Sequence, residues 1–134
     1  MKIKELVLNK INQSEYDVFM RTDFLSIGSD RQVGTVLKKL CQEQKLIKIG
    51  RGLYAKTAIA SEPPLVGEVY IRIGIIQAAR QALERLGYQV VPTSAENDYN
   101  DGVTTQVPTG RKIGIKGGKP TRKIGNKITY EYVN

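Results

Sequence analysis

The feature that most constrains the fold is an amphipathic helix pattern followed directly by a hairpin pattern. Over residues 30–44 the apolar residues recur at i, i+3, i+4 and i+7, namely Val33, Val36, Leu37 and Leu40. In the stretch 46–56 two strand-like arms surround Gly50-Arg51-Gly52, which predicts a three-residue hairpin loop with an arginine at its tip. The fold must therefore bury the apolar stripe of this helix in a core that lies next to the hairpin.

Three shorter patterns precede the helix. Residues 2–13 have amphipathic helical spacing, and 17–21 are apolar and extended. Thr22 and Asp23 are typical N-cap residues and predict a short helix over 23–27, after which Ser29 caps the long helix. This order of elements is that of a winged helix-turn-helix, whose last helix enters the major groove of DNA. We therefore predict a winged helix-turn-helix DNA-binding domain over 1–57.

The second half of the chain has weaker patterns. Residues 58–70 contain Ser61-Glu62-Pro63-Pro64 and are predicted to be a linker. The elements predicted after it are a helix at 73–86, a strand at 88–92, an acidic loop at 96–101 and strand-like pieces at 104–107, 111–116 and 127–133. The predicted fold class is α+β, in which a small C-terminal domain, 71–134, has one helix and a short antiparallel sheet.

Composition favours a polyanionic partner and disfavours most catalytic chemistry. The 21 Lys and Arg residues exceed the 13 Asp and Glu residues, which gives a formal net charge of +8. There is no histidine, and Cys41 is the only cysteine, so His-based acid–base catalysis and most zinc sites are excluded. We expect no enzyme activity, no metal and no cofactor. Because no apolar run approaches about 20 residues, we expect a cytoplasmic protein that does not enter a membrane.

Candidate DNA contacts lie on the polar face of the long helix and on the hairpin. At about 100° per residue, the face opposite the apolar stripe carries Arg31, Thr35, Lys38 and Gln42. Side chains of these types read base edges or hold phosphates. Gly34 would allow close approach to a DNA backbone. The full predicted set is Ser29, Arg31, Gln32, Thr35, Lys38, Gln42, Lys48 and Arg51.

Each of these residues also has an ordinary explanation. The lysines suit a solvated helix face, Gly50-Arg51-Gly52 suits a surface turn, and Ser29 suits a helix cap without any phosphate. The order and spacing of the set favour DNA binding. The stretch 111–127 has seven basic residues and no acidic ones. It is either a second phosphate-binding surface or, as its glycines slightly favour, the exposed sides and turns of a hairpin.

Two segments resemble a known family. Residues 24–56, FLSIGSDRQVGTVLKKLCQEQKLIKIGRGLYAK, resemble the N-terminal winged helix of AbiEi-like antitoxins from type IV toxin–antitoxin (abortive-infection) systems. Residues 104–111, TTQVPTGR, resemble a short subfamily of uncharacterised bacterial proteins related to those antitoxins. The chain after the hairpin is shorter than the toxin-neutralising domain of the full antitoxins. The resemblance therefore implies DNA binding more directly than antitoxin activity.

The resemblance implies a particular mode of action. It predicts binding to an inverted repeat in the protein's own promoter, with a homodimer on the DNA, repression of the operon, and opposition to a nucleotidyltransferase-like toxin encoded nearby. Transferred onto this sequence, DNA contact falls on Arg31, Gln32, Thr35, Lys38 and Arg51. The predicted function is thus a sequence-specific transcriptional regulator. The alternative is a protein-interaction module that uses the winged helix as a docking scaffold, since fold alone does not fix function.

Overall fold

The computed structural model describes residues 2–105, 111–125 and 127–133 of the chain, which forms a mixed α+β fold. Its elements, in order, are α1 (Ile3–Gln13), β1 (Val18–Met20), a 3₁₀ helix (Arg21–Phe24), α2 (Asp30–Gln42), β2 (Leu46–Gly50), β3 (Leu53–Ile59), β4 (Val69–Ile71), α3 (Ile75–Arg85), β5 (Gln89–Val91), α4 (Ser94–Asn100), β6 (Lys112–Lys116) and β7 (Thr129–Val133). The predicted α+β class is confirmed. None of the helices among these residues is long and apolar enough to cross a membrane.

The first half packs around an apolar cluster that we call the N-terminal core. Strand β3 lies between β1 and β2 and pairs with both in antiparallel fashion. Helices α1 and α2 cover the cluster, and Phe24 is its fully buried aromatic side chain. The members of the N-terminal core are Val7, Ile11, Phe19, Phe24, Val33, Leu37, Leu40, Leu46 and Tyr54.

The prediction of a second short helix over 23–27 is wrong in type and position. A single 3₁₀ turn forms instead at Arg21–Phe24, and residues 25–27 form a turn. Asp23 does not cap this turn from its start. It lies at the third helical position, where its carboxylate accepts a 2.8 Å hydrogen bond from the backbone N–H of Met20. The acid thus reaches back to an unpaired amide, as in a capping box.

The hairpin is tighter than the predicted three-residue loop. Gly50 belongs to β2, so only Arg51 and Gly52 form the turn, and Gly52 adopts a positive φ of 69°. A non-glycine residue would be strained there. The register between β2 and β3 shifts between Lys48 and Gly50, which accommodates the extra residue before the turn.

The stretch predicted to be a linker contains parts of two strands. Strand β3 runs on to Ile59 and pairs with β4, with Thr57 opposite Ile71 and Ile59 opposite Val69. Further backbone hydrogen bonds between Ala60 and the returning chain close this second hairpin. The pattern missed it because Pro63-Pro64 and the surrounding polar residues have the composition of a linker.

A second apolar cluster, the shared core, draws on both halves of the chain. Leu53 and Ala55 of β3 belong to the same cluster as Ala79 and Leu83 of α3, and all four side chains are fully buried. The members of the shared core are Val18, Ile49, Leu53, Ala55, Ala78, Ala79, Ala82, Leu83, Ile113, Ile115 and Ile124. The predicted division into a domain at 1–57 and a domain at 71–134 stays a prediction. Both regions contribute buried residues to the shared core.

The C-terminal half differs from the predicted single helix and antiparallel sheet. Its sheet is mixed, because β6 pairs antiparallel with β5 but parallel with β7. The predicted acidic loop at 96–101 is largely a helix, α4, capped by Thr93, whose hydroxyl accepts from the N–H of Glu96 at 3.1 Å. Of the strand predicted at 104–107, residues 104 and 105 are not in a strand, and 106 and 107 lie outside the described residues.

Candidate nucleic-acid interface

The two faces of α2 differ sharply in burial. Val33, Leu37 and Leu40 are fully buried in the N-terminal core, whereas Val36 of the predicted stripe is only partly buried. Every residue predicted to contact DNA is exposed. This set comprises Ser29, Arg31, Gln32, Thr35, Lys38 and Gln42 on or before α2, Lys48 on β2 and Arg51 in the β2–β3 turn. The fold therefore brings the predicted residues to the surface, with α2 held from behind by its apolar side.

Three of these side chains make local hydrogen bonds that fix the start of α2. The hydroxyl of Ser29 accepts from the backbone N–H of Gln32 at 3.2 Å, and the Gln32 carboxamide oxygen accepts from the N–H of Ser29 at 3.1 Å. The Thr35 hydroxyl donates to the carbonyl of Arg31 at 3.0 Å. Ser29 and Gln32 thus form a capping box and stabilise the helix end. Arg31, Lys38 and Gln42 are the longer side chains of the face.

The acidic residues at the two ends of α2 are held in ion pairs. The Asp30 carboxylate lies 3.0 Å from Nε of Arg21, and the Glu43 carboxylate accepts a 2.7 Å hydrogen bond from Lys4. That hydrogen bond holds the pKa of Glu43 below its usual value. Because these carboxylates already have cationic partners, they compensate little of the positive charge in the middle of the face, where Lys38 and Lys39 lie.

Arg21 is a residue of this surface that sequence reasoning missed. Its Nη2 donates to the backbone carbonyl of Asp30 at 3.1 Å, so the guanidinium lies across the start of α2. A Cβ atom at Gly34 would lie 2.1 Å from this Nη2. The space beside Gly34 is thus taken by the Arg21 guanidinium, and the close approach of a DNA backbone at this position stays a prediction. A glycine inside a helix costs stability relative to alanine, and that cost is the sequence signal that another group packs close to this position.

The C-terminal half reaches the β2–β3 turn through the segment 121–125. Gly50 pairs with Ile124, and the N–H of Gly125 donates to the carbonyl of Ile49 at 2.6 Å. Nη1 of Arg122 donates to the carbonyl of Arg51 at 3.1 Å. These contacts pair part of the outer edge of β2, so that fewer backbone N–H and C=O groups of this edge strand are left exposed and unpaired.

A cleft of about 670 Å³ opens between this segment, the turn and the 3₁₀ helix. We call it the turn cleft. Among the residues that the structure describes, its lining has four cationic side chains and no acidic one. The lining residues are Met20, Arg21, Thr22, Arg51, Gly52, Thr121, Arg122 and Lys123. Part of the basic stretch 111–127 is therefore placed beside Arg51, a proximity that nothing in the order of residues along the chain could indicate.

Cys41 lies next to the hairpin and is partly buried against the N-terminal core. Burial raises the pKa of its thiol, an effect that the nearby positive charge of Lys48 reduces. A raised pKa keeps the thiol protonated at neutral pH and makes it a poor nucleophile. The described residues contain no cluster of His, Cys, Asp and Glu side chains arranged to hold a metal ion.

The structure thus defines an α+β protein with an exposed polar helix face, which carries Arg31 and Lys38, and a turn that carries Arg51. The chain belongs to the DUF6088 family, a family of unknown function, which it matches over residues 2–132. No curated protein and no solved structure matches it. The family match provides no link to the AbiEi-like antitoxins, so that resemblance stays a prediction.

Proposed function

We propose that this protein is a regulator of transcription that binds double-stranded DNA, with α2 as the recognition helix of a winged helix-turn-helix and the β2–β3 hairpin as its wing. The observation that carries the proposal is the exposed face of α2. Its far side is locked into the N-terminal core by Val33, Leu37 and Leu40, whereas Arg31 and Lys38 face outward. A recognition helix needs this combination of a fixed back and a polar front.

The proposed contacts divide between base reading and phosphate binding. Arg31 lies in the first turn of α2, the part of a recognition helix that contacts base edges, and its guanidinium matches the two acceptors of guanine. Lys38 lies further along the face and suits a phosphate. Gln42, at the last residue of α2, suits a base edge or the backbone at the far end. Arg51 extends the contact from the wing into the minor groove or to a phosphate.

The 3₁₀ helix takes the place of the second helix of a helix-turn-helix in this proposal. It is short, but it anchors Phe24 in the N-terminal core and places Arg21 across the start of α2. Asp23 also joins it to α3 through an ion pair with Arg85, in which Nη2 of Arg85 lies 2.8 Å from the carboxylate. These contacts join the 3₁₀ helix to α2 on one side and to α3 on the other.

The mode of regulation follows from the resemblance alone. It is repression of the protein's own promoter by a homodimer on an inverted repeat in the cytoplasm. Opposition to a nucleotidyltransferase-like toxin would fall to the C-terminal half. DNA binding comes first, because autorepression requires it.

A gel-shift experiment tests DNA binding. The full chain is incubated with a duplex from the region upstream of its gene and with a scrambled duplex of the same composition. We expect both to shift at about 50 mM salt, and only the upstream duplex to remain bound near 200 mM, because phosphate contacts weaken with salt. No shift of either duplex at low salt would contradict the proposal and favour the protein-interaction module.

Two variants separate base reading from phosphate binding. Lys38→Ala should weaken both duplexes alike, whereas Arg31→Ala should weaken mainly the upstream duplex, by about 1–3 kcal/mol. Lys112→Ala removes the same charge from the exposed side of β6 and should leave both complexes unchanged. Equal losses on both duplexes for Arg31→Ala and Lys38→Ala would contradict base reading by Arg31.

A further inference from the structure

The turn cleft lies where the two halves of the protein meet, and it concentrates positive charge. Arg21 comes from the 3₁₀ helix, Arg51 from the turn, and Arg122 and Lys123 from the C-terminal half. Within residues 2–105, 111–125 and 127–133, no carboxylate belongs to the lining. Like charges held together repel one another, so this arrangement favours a bound anion.

The backbone fixes the C-terminal cations beside the turn. Ile124 is buried in the shared core at 2% exposure and pairs with Gly50, and the N–H of the next residue, Gly125, donates to the carbonyl of Ile49 on β2. A side chain at Gly50 would meet the carbonyl oxygen of Lys123 at 2.7 Å, so glycine permits this close approach. Arg122 and Lys123 are therefore attached to the wing itself, next to Arg51.

The cleft also adjoins the start of α2. Arg21 lines it and donates at the same time to the carbonyl of Asp30, the first residue of that helix. The carboxylate of Asp30 offsets part of the charge on Arg21, but Arg51, Arg122 and Lys123 remain exposed. The lining of the cleft thus runs from Arg21, which contacts the start of α2, past the turn to Arg122 and Lys123 of the C-terminal half.

The donors of the cleft match phosphodiester oxygens. Guanidinium groups bind phosphate with two parallel hydrogen bonds, and the hydroxyls of Thr22 and Thr121 are further donors. The lining residues include no aromatic ring on which a base could stack, which disfavours single-stranded nucleic acid. A volume of about 670 Å³ leaves room for a backbone that passes through the cleft.

We infer that the turn cleft binds the sugar–phosphate backbone of the same DNA duplex that α2 contacts, so that the C-terminal half is part of the DNA interface. This inference rests on the proposed DNA binding. The cleft adds affinity for any sequence, because phosphate contacts do not distinguish bases.

The test measures how DNA affinity depends on salt. Fluorescence anisotropy of a labelled upstream duplex is recorded from about 50 to 200 mM salt for the wild type and for the double variant Arg122→Gln/Lys123→Gln. The slope of log K against log salt is negative, and each lost phosphate contact lowers its magnitude by about 0.9, so the double variant should lower this magnitude by about 1.8. The single variant Lys123→Gln, which keeps the bond from Arg122 to the turn, should lower it by about 0.9.

The matched control removes two charges elsewhere in the same half of the protein. Lys112→Gln/Lys116→Gln changes two exposed lysines of β6 and should leave the slope unchanged. An equal change in slope for the control and the cleft variants would overturn the inference, because net charge alone would then explain it. An unchanged slope in the cleft variants would also overturn it, and the proposed function would stand if Lys38→Ala still weakened binding.

If no duplex binds, a second measurement tests whether the turn cleft binds an anion at all. Pyrophosphate is titrated into the ¹⁵N-labelled wild type and into Arg122→Gln/Lys123→Gln, and the backbone amide signals are followed by NMR. If the signals of Gly52 and Lys123 shift in the wild type only, the cleft binds anions although the proposed DNA binding is wrong. An absence of such shifts, with no duplex bound, would overturn both.

Discussion

The two apolar cores are assembled in different ways. The N-terminal core draws all its members from positions 7 to 54, and they follow one another as α1, β1, α2 and the hairpin. The shared core joins β1, β2 and β3 to α3, β6 and Ile124, which are far apart along the chain. The exposed face of α2 backs onto the first core, whereas the turn cleft depends on the second.

Ion pairs across the boundary reinforce this difference. Asp17 and Asp23, from the first half, bind Arg72 and Arg85, from the second. The carboxamide oxygen of Gln81 on α3 also accepts from the N–H groups of Asp17 and Val18, at 2.7 and 2.6 Å. The first half therefore relies on the second for part of its burial and hydrogen bonding, although its own core is local.

The largest expected effect comes from removing the second half. A fragment of residues 1–59 lacks α3 and β6, so the shared-core members of β1, β2 and β3 lose their buried partners in those elements. We expect its free energy of unfolding to fall by more than the about 2–5 kcal/mol that one large core truncation costs. Thermal unfolding followed by circular dichroism measures the loss. A fragment of residues 1–72, which keeps β4 and Arg72, should remain destabilised because α3 is missing.

An unfolding midpoint for residues 1–59 close to that of the full chain would contradict this account. It would show that the boundary predicted near residue 57 separates two independent domains, and that the shared core adds little to the first half.

A matched pair of leucine truncations compares the two cores directly. Leu37→Ala opens a cavity in the N-terminal core and Leu83→Ala opens one in the shared core, and both side chains are fully buried. Each should lower the free energy of unfolding by about 2–5 kcal/mol in urea titrations. A loss below about 1 kcal/mol for Leu83→Ala would mean that the shared core is loosely packed, since its site would then have collapsed at little cost.

Acid should weaken the link between Asp23 and Arg85. Burial by itself would raise the pKa of Asp23, but hydrogen bonds from Arg85 and from the Met20 N–H lower it below the usual 3.8. The folded state therefore binds this proton less readily than the unfolded state. The resulting stabilisation is complete above about pH 4 and is lost as the pH falls through the lowered pKa of the folded state.

Asp23→Asn isolates this effect. At pH 7 it should lower the free energy of unfolding by about 1.5–3 kcal/mol, because it removes a hydrogen-bonded charge. Urea titrations from pH 7 to 2.5 should show the difference from the wild type shrinking below about pH 4. A difference that stays constant over this range would contradict the role given to the ion pair.

The smallest expected effect is at Gly34. Gly34→Ala gains about 1 kcal/mol in helix propensity but forces Arg21 off the Asp30 carbonyl. The two changes should nearly cancel, so that the free energy of unfolding shifts by less than about 1 kcal/mol. The arginine Nε–H NMR signal of Arg21 should nevertheless move. A large loss of stability would mean that the helix backbone, and not the flexible side chain, takes up the clash.

Local patterns predicted the elements that local chemistry determines. The helical stripe of Val33, Leu37 and Leu40, the Ser29 cap and the strands around Arg51-Gly52 were all readable from the sequence, because each depends on nearby residues. The 3₁₀ turn was not predicted because an aspartate can accept a backbone N–H bond from the N-cap position, as the sequence suggested for Asp23, or from the third helical position, where Asp23 lies. Helix α4 was missed because its acidic residues have the composition of a loop.

The long-range features could not be predicted in this way. Parallel pairing of β6 with β7, the return of β4 to β3 and the contact of Arg122 with Arg51 each join segments that no periodicity relates. The sequence therefore predicted the α2 and turn residues of the candidate interface. It did not predict the position of Arg21 or of the C-terminal side of the turn cleft.

The most direct test of the central claim is an NMR map of the duplex on the protein. The ¹⁵N-labelled full chain is titrated with the upstream duplex at about 50 mM salt, at which phosphate contacts are strong. We predict that the largest amide shifts fall on Arg31, Thr35, Lys38 and Arg51, while α4 and the β3–β4 loop around Leu65 remain unchanged. Shifts confined to α4 or to that loop, with α2 unaffected, would contradict the assignment of α2 as the recognition helix.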